Sequence, residues 1–289
     1  AAARRHGQAG SSPRKGTLTA NGGPSMPHES AYHQTTLAKS ALAELDEGDD
    51  RQIEPGQSFF VIAETPCPYL VGRWERKVVT ELYGAAARHQ YDDLSRGGFR
   101  RSHHFAYRPA CSNCQACVPV RVRAQDFQPQ RSLARIARRN RDLRVACRPP
   151  TATQEQYALF ADYIRQRHGD GEMAGMTFDD YRAMVEDTSV DTAVVEFRET
   201  DGRLIAACLA DWLDDGASAV YSFFDSQATA RSLGSFCIIW LIEEVRRRQK
   251  EHVYLGYWIA ETPKMAYKAR FQPLEGLGPN GWRDLTGRG

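Results

Sequence analysis

Three cysteines at a strict spacing of three, Cys111, Cys114 and Cys117, stand between Pro109 and Pro119 in "RPACSNCQACVPV". On a strand they could not all face one way, but on a loop pinned by prolines they can converge. A tetrahedral thiolate site needs four ligands, and Cys67, in the proline-flanked turn "TPCPYL", is a natural fourth. Such a set suits structural zinc, and it also suits an iron–sulfur cluster. The bland alternative is a group of small apolar residues in a core, where free cysteine is common. Cys147, Cys208 and Cys237 fall in helix or strand patterns and are expected to be core.

The second chemically suggestive stretch is basic. In "SLARIARRNRDL" the residues Arg131, Arg135, Arg138 and Arg139 recur at spacings of three or four, so one broad helix face carries them while Leu133, Ile136 and Ala137 turn inward. A solvated helix would normally interleave acids with its bases. The guanidinium fork matches phosphate geometry, so RNA or another polyanion stands beside a plain solvated face as the reading of this helix. The whole chain carries a formal charge of only +2, so any nucleic-acid binding must come from such local clustering.

The elements that position these residues follow from composition and pattern. With 289 residues, 42% hydrophobic and 26% charged, the chain has the make-up of a globular protein of one large or two modest domains. It contains no apolar run long enough to span a bilayer and no secretory h-region, and seven cysteines is an odd number; a reducing, cytoplasmic setting without membrane partners is expected. Residues 1–50 read as a flexible leader, with Met26 a candidate start. Residues 51–148 read as an N-terminal domain containing the cysteines. The pair Pro149 and Pro150 marks the boundary to a second domain, 149–289. There the pattern predicts helices over 154–167 and 177–186, the latter capped by Thr177. Three strands follow, joined by two Asp-Gly turns, then a long helix over 232–249, a strand in "HVYLGYWI" and a short helix in "PKMAYKARF". The fold class is α+β, and the order of the second half is that of a GNAT-type acyltransferase. In "RSLGSF" the residues Arg231 and Gly234 fit the loop on which such enzymes cradle pyrophosphate, whereas the bulk of Phe236 is expected to block a phosphate from the backbone.

Taken together, "CPYLVGR", "GFRRSHHFAYRPACSNCQACVPVRV", "VYSFFDSQATARSLGSF" and "VYLGYWIAETPKMAYKARFQPLE" resemble the aminoacyl-tRNA–protein transferases of the N-degron pathway, and most closely their bacterial aspartate/glutamate leucyltransferase branch. The resemblance runs from about Phe59 to Trp282. It implies a GNAT-like C-terminal domain in which the ester of a charged tRNA replaces a thioester, and it implies that the family's cysteine pattern falls on Cys67, Cys111, Cys114 and Cys117. The aromatic stretch followed by Lys-Met-x-Tyr-Lys places Tyr257, Lys264, Met265, Tyr267 and Lys268 near the reaction centre. The chain departs from the family's usual residues at Val71, Phe224 and Ser226.

The implied reaction moves leucine from Leu-tRNA to the α-amine of a protein beginning with Asp or Glu. The ester is already activated, so no cofactor is needed for the chemistry. The same reaction with Arg-tRNA is an alternative, as is a coenzyme-A-dependent acetyltransferase or a non-catalytic zinc-containing RNA-binding module. The acidic acceptor needs a fixed cation, for which Arg73, Arg100, Arg101, Arg108, Lys264 and Lys268 qualify, with Arg108 and Lys268 preferred. Tyr107, Tyr221 and Tyr257 are expected to line the aminoacyl pocket or to pack. Arg135, Arg138 and Arg139 are the expected tRNA contacts.

Overall fold

The computed structural model describes residues 57–167 and 172–285; the leader expected over 1–50 lies outside the described residues. Short strands β1 (Phe60–Val61), β2 (Thr65–Pro66), β3 (Trp74–Glu75) and β4 (Lys77–Glu81) lead to helix α1 (Ala87–Arg96), then to β5 (Arg100–Ser102) and β6 (Phe105–Pro109). The cysteine loop follows, then β7 (Val118–Arg123), helix α2 (Arg131–Arg139) and β8 (Arg144–Arg148). Helices α3 (Gln154–Arg167) and α4 (Phe178–Glu186) precede the meander β9 (Thr192–Arg198), β10 (Leu204–Trp212) and β11 (Gly216–Phe224). The chain continues through α5 (Leu233–Arg247), β12 (His252–Trp258), a 3-10 segment Pro263–Arg270, and the hairpin β13 (Leu274–Gly278) and β14 (Gly281–Asp284).

One helix start follows local chemistry closely. Thr177 caps α4 as its residue type predicts: its hydroxyl accepts the Asp180 N–H at 3.3 Å while the Asp180 carboxylate accepts the Thr177 N–H at 2.8 Å. The "PKMAYKARF" segment forms 3-10 rather than α-helix.

One eight-stranded sheet, in the order β14-β13-β7-β12-β11-β10-β9-β8, organises most of the chain. A four-stranded sheet, β1-β4-β6-β5, and a two-stranded one, β2-β3, carry the N-terminal strands, and all described residues fall within one compact unit. The boundary expected at 148–149 therefore divides the large sheet instead of lying beside it, because β7 pairs with β12 and β13, and β8 pairs with β9. The two prolines end a strand because they lack an N–H to donate, and ending a strand does not end a domain.

Strand β10 is buried along its whole length, which is the signature of a strand covered on both faces. Ala206, Cys208 and Ala210 join the core under α2 and α5, while Ala207 and Leu209 join Phe160, Ile164, Tyr181 and Val185 under α3 and α4. Cys208 and Cys237 are core residues as expected. Cys147 is not: it sits exposed on β8, the edge strand, where one flank has no partner strand among the described residues.

Candidate active site

Strands β11 and β12 are parallel and paired only at their beginnings, Gly216 with His252, Ala217 with Val253 and Ser218 with Tyr254. Beyond that point they splay. Gly216 permits the close start, since a Cβ there would stand 1.8 Å from the His252 carbonyl oxygen. Such a gap between parallel strands leaves backbone groups that neither strand satisfies for the other, and so offers hydrogen bonds to whatever enters it.

Arg100 reaches into this gap from β5. Its Nη2 donates to the carbonyls of Ala219 and Val220, both at 2.8 Å, just where β11 leaves β12. The seat is made by Gly256 on β12, at φ +74°, where a Cβ would stand 1.7 Å from Nη1. Adjacent arginines in "FRRS" point to opposite faces of their strand, so the neighbour has another fate. Arg101 is 3% exposed and pairs with the fully buried Asp211, its Nε and Nη2 each donating at 2.8 Å. Arg101 is thus part of the core.

Lys268 is 8% exposed, and its Nζ donates to the Tyr257 carbonyl at 2.5 Å. Burial, with the Arg100 charge adding to it, pulls this amine down from 10.5 to about 7. Lys268 is therefore poorly suited to be a permanent cation and well suited to exchange a proton near neutrality. Tyr257 is buried, and its hydroxyl donates to the carbonyls of Gly98 and Tyr107 at 3.1 Å each; burial holds that phenol far above its ordinary range. The Tyr107 and Tyr257 rings lie 6.3 Å apart. Tyr69 stands beside the same group; it is 42% exposed, and burial and then Tyr107 push its phenol upward. Tyr267 is 39% exposed, and Lys264 is exposed. Tyr221 packs on the α3 side, its ring 6.2 Å from Phe160, and burial raises its phenol too.

Arg108 lies apart from this group. Its Nη1 donates to the Gly97 carbonyl at 2.9 Å, and it borders an open cleft of about 920 Å³ between the cysteine loop and the β13–β14 hairpin.

The four cysteines gather from two loops. Cys114 accepts a hydrogen bond from Arg73 Nη1 at 3.1 Å, and Cys111 accepts the Arg76 N–H at 3.5 Å. Burial and then the neighbouring Cys67, Cys111 and Cys114 push the Cys117 thiol up to about 12. They are neighbours without the spacing of a filled tetrahedral site: among the described residues, the three ligand atoms within 4.8 Å of one another belong to His89, Asp92 and Asp214. Asp92, in the middle of α1, is engaged there with a turn, its Oδ1 accepting the Asp214 N–H at 2.9 Å.

An aromatic ring crowds the start of α5, though not that of the residue expected. Phe236 is buried, its ring 5.6 Å from Phe197. It is Phe224 that lies over Gly234, where a Cβ would meet its ring at 2.9 Å. Arg231 is committed to Asp142 through Nη1 at 3.0 Å and Nη2 at 2.8 Å. Helix periodicity turns position 236 inward, and the ring that crowds the glycine of this loop is that of Phe224.

The arginines of α2 are exposed, and among the described residues no ion pair involves Arg131, Arg135, Arg138, Arg141 or Arg144. Arg139 donates to the Ala230 carbonyl. Leu133 and Ile136 are buried as expected.

Sequence reasoning underrated Arg100 and passed over Gly256 and Tyr69. The available signal was the Arg-Arg pair on a strand, which must send one guanidinium to each face.

The chain is similar to known proteins along most of its length. The N-terminal sequence profile of the arginine-tRNA-protein transferases matches residues 65–135, and the C-terminal profile matches residues 155–278. An aspartate/glutamate leucyltransferase from Paramagnetospirillum magneticum is 56% identical over 225 residues, 78% of this chain and 92% of its own. One from Rhodospirillum rubrum is 52% identical over 242 residues, 83% of this chain and 98% of its own. Among solved structures, L-PGS from Bacillus licheniformis superposes with a TM-score of 0.43 at 11% identity, over 68% of this chain and 63% of its own. Two profiles in their proper order, and relatives matched over nearly their full length, establish that the chain belongs to the arginine-tRNA-protein transferase family, in its bacterial aspartate/glutamate leucyltransferase branch.

Proposed function

We propose that this protein transfers leucine from Leu-tRNA to the N-terminal α-amine of proteins that begin with Asp or Glu, in the cytoplasm. The observation that carries the reading is the splay between β11 and β12, wedged by Arg100 and flanked by Lys268, beside a helix start that Phe224 crowds and where Arg231 is committed to Asp142. The names of its relatives supply leucine as the donor's amino acid and Asp or Glu as the acceptor's first residue.

In this reading the acceptor arrives as an ammonium ion, and neutral Lys268 takes one proton from it. The freed amine attacks the ester carbonyl, the C–N bond forms, and the C–O bond to the terminal ribose breaks. The second amine proton leaves with the ribose oxygen, so charge and protons balance without a covalent enzyme intermediate. Tyr257 holds the local backbone through its two carbonyl bonds, while Tyr107, Tyr221 and Tyr267 offer the apolar surface that a leucyl group needs. Lys264 supplies an exposed positive charge in the same 3-10 segment as Lys268.

Arg135, Arg138 and Arg139 belong to the surface proposed for tRNA, supported by their exposure and by the absence of acids paired to them among the described residues. The donor set of Cys67, Cys111, Cys114 and Cys117 fits a structural zinc ion or an iron–sulfur cluster. A cation there would offset the burial and, after it, the mutual repulsion that hold the Cys117 thiol up. Its contribution would be to tie the two loops together, outside the chemical step. Division into a cysteine-containing part, 51–148, and an acyltransferase part, 149–289, is retained as a division of roles along one shared sheet.

The test is transfer of radiolabelled leucine or arginine from charged tRNA to peptides that differ only in their first residue. Label is expected on Asp and Glu peptides from Leu-tRNA; label from Arg-tRNA alone, or from neither donor, would overturn the proposal.

A further inference from the structure

Recognition of an acidic first residue needs a cation with unused donors, and most positive groups around the cleft are already committed. Arg101 is held by Asp211, Arg73 by Cys114, Arg76 by Glu64 and Arg121 by Glu275. Arg108, preferred on sequence grounds, faces the cleft beside the cysteine loop and gives Nη1 to Gly97. Lys268, the other preferred residue, spends a hydrogen on the Tyr257 carbonyl and surrenders its charge too readily to be a fixed counter-ion.

Arg100 is different in each respect. It is only partly buried, both hydrogens of Nη2 are occupied by Ala219 and Val220, and the hydrogens on Nη1 and Nε have no partner among the described residues. No carboxylate pairs with it among those residues; the groups that act on its charge are the phenols of Tyr107, Tyr91, Tyr257 and Tyr69. A guanidinium held rigidly in a gap between strands, without a counter-ion, is an anion-binding site in waiting. Position adds a second argument. The carboxylate of an N-terminal Asp or Glu is only a few bonds from its own α-amine, so the cation that holds the first must stand beside the base that serves the second. Arg100 is close enough to Lys268 for its charge to be felt there.

We propose that Arg100 is the specificity-determining residue that receives the side-chain carboxylate of the acceptor's first residue. The inference rests on the function proposed above and deepens it. When Asn or Gln is offered instead, the guanidinium stays desolvated without an anion, and that acceptor is disfavoured. Gly256 is part of the device, since any side chain there would displace the guanidinium.

The experiment compares kcat/KM for peptides that differ only in Asp or Asn at the first position, with saturating Leu-tRNA, for the parent, Arg100→Met and Arg100→Lys. The parent is expected to favour Asp by roughly a hundredfold or more. Arg100→Met should reduce that ratio to within about tenfold, through loss on the Asp peptide and not through gain on tRNA affinity. Arg100→Lys, which keeps the charge but loses the fork, should fall between. An undiminished ratio in Arg100→Met, or equal loss on both peptides, would overturn the assignment. Should the Met variant fail to fold, the Lys variant decides alone, and an unchanged ratio there refutes the role. If the parent transfers no leucine at all, the reaction has been misread; the residue is then tested by direct titration of Asp and Asn peptides into the tRNA-free protein, where only Asp binding should weaken in the variants.

Discussion

Replacing Lys268 with Met tests the proposed chemistry and the energetics of the site together. A lysine amine that ordinarily titrates at 10.5 but here titrates at about 7 holds its proton less tightly in the folded chain than in the unfolded one. At about 1.4 kcal/mol per pH unit, that difference represents roughly 5 kcal/mol of penalty for charging the buried amine. Because the folded value is the lower one, stability is greatest above about 10.5, declines as pH falls toward 7, and the full penalty applies below about 7. Met has a similar volume and no charge to bury. It forfeits the bond to the Tyr257 carbonyl, which costs about 1–3 kcal/mol. The variant should therefore exceed the parent by about 2–4 kcal/mol at pH 6 and lose that advantage progressively above pH 7. Urea unfolding at several pH values reads this difference. Activity should move the other way. The neutral fraction of Lys268 is roughly one tenth at pH 6 and nine tenths at pH 8, so the parent's kcat/KM should rise about tenfold over that interval. The acceptor's own amine titrates near 7.7–8.0, and the comparison with Lys268→Met separates the two: the variant's residual activity keeps only the amine's limb. Parallel stability profiles for the two proteins between pH 6 and 9, or full activity in the Met variant, would refute the reasoning.

Other outcomes follow from the same geometry. Alanine at Arg135, Arg138 and Arg139 together should weaken tRNA binding and flatten its salt dependence by about three counterions, measured by titration from low to high salt; unchanged slopes would leave α2 a solvated face. Elemental analysis of anaerobically purified, active protein should find about one equivalent of zinc or one iron–sulfur cluster, and Cys114→Ser should lower that content; active protein without metal would end the cysteine-site proposal. Arg101→Met should cost about 3–5 kcal/mol in thermal or urea unfolding, because it strands the fully buried Asp211 without its partner. Gly256→Ala should remove most transfer activity and cost about 1–3 kcal/mol, since the new methyl meets Arg100 and the backbone there is left-handed; wild-type rates would show that Arg100 does not use that seat.

Local chemistry is what the sequence alone determined. Hydrophobic period marked α3, α4, α5 and the β9–β11 meander to within a residue or two, Thr177 announced itself as an N-cap, and the order of those elements indicated an acyltransferase of GNAT type. The cysteine spacing and the arginine face of α2 were legible for the same reason, since neighbours along a chain share a turn or a helix face wherever the chain is placed. Tertiary structure decided what depends on long-range pairing. Whether position 236 or 224 crowds the start of α5 turns on which ring the meander lays across Gly234. The boundary at Pro149 dissolved because β7 and β8, far from their partners in sequence, complete the same sheet. The two arginines of "FRRS" are chemically identical as text. One is consumed by Asp211, 110 residues away, and the other is set in the gap beside Ala219 and Val220. Burial and neighbouring charge then determine their roles, and both are properties of the packed protein rather than of residue type.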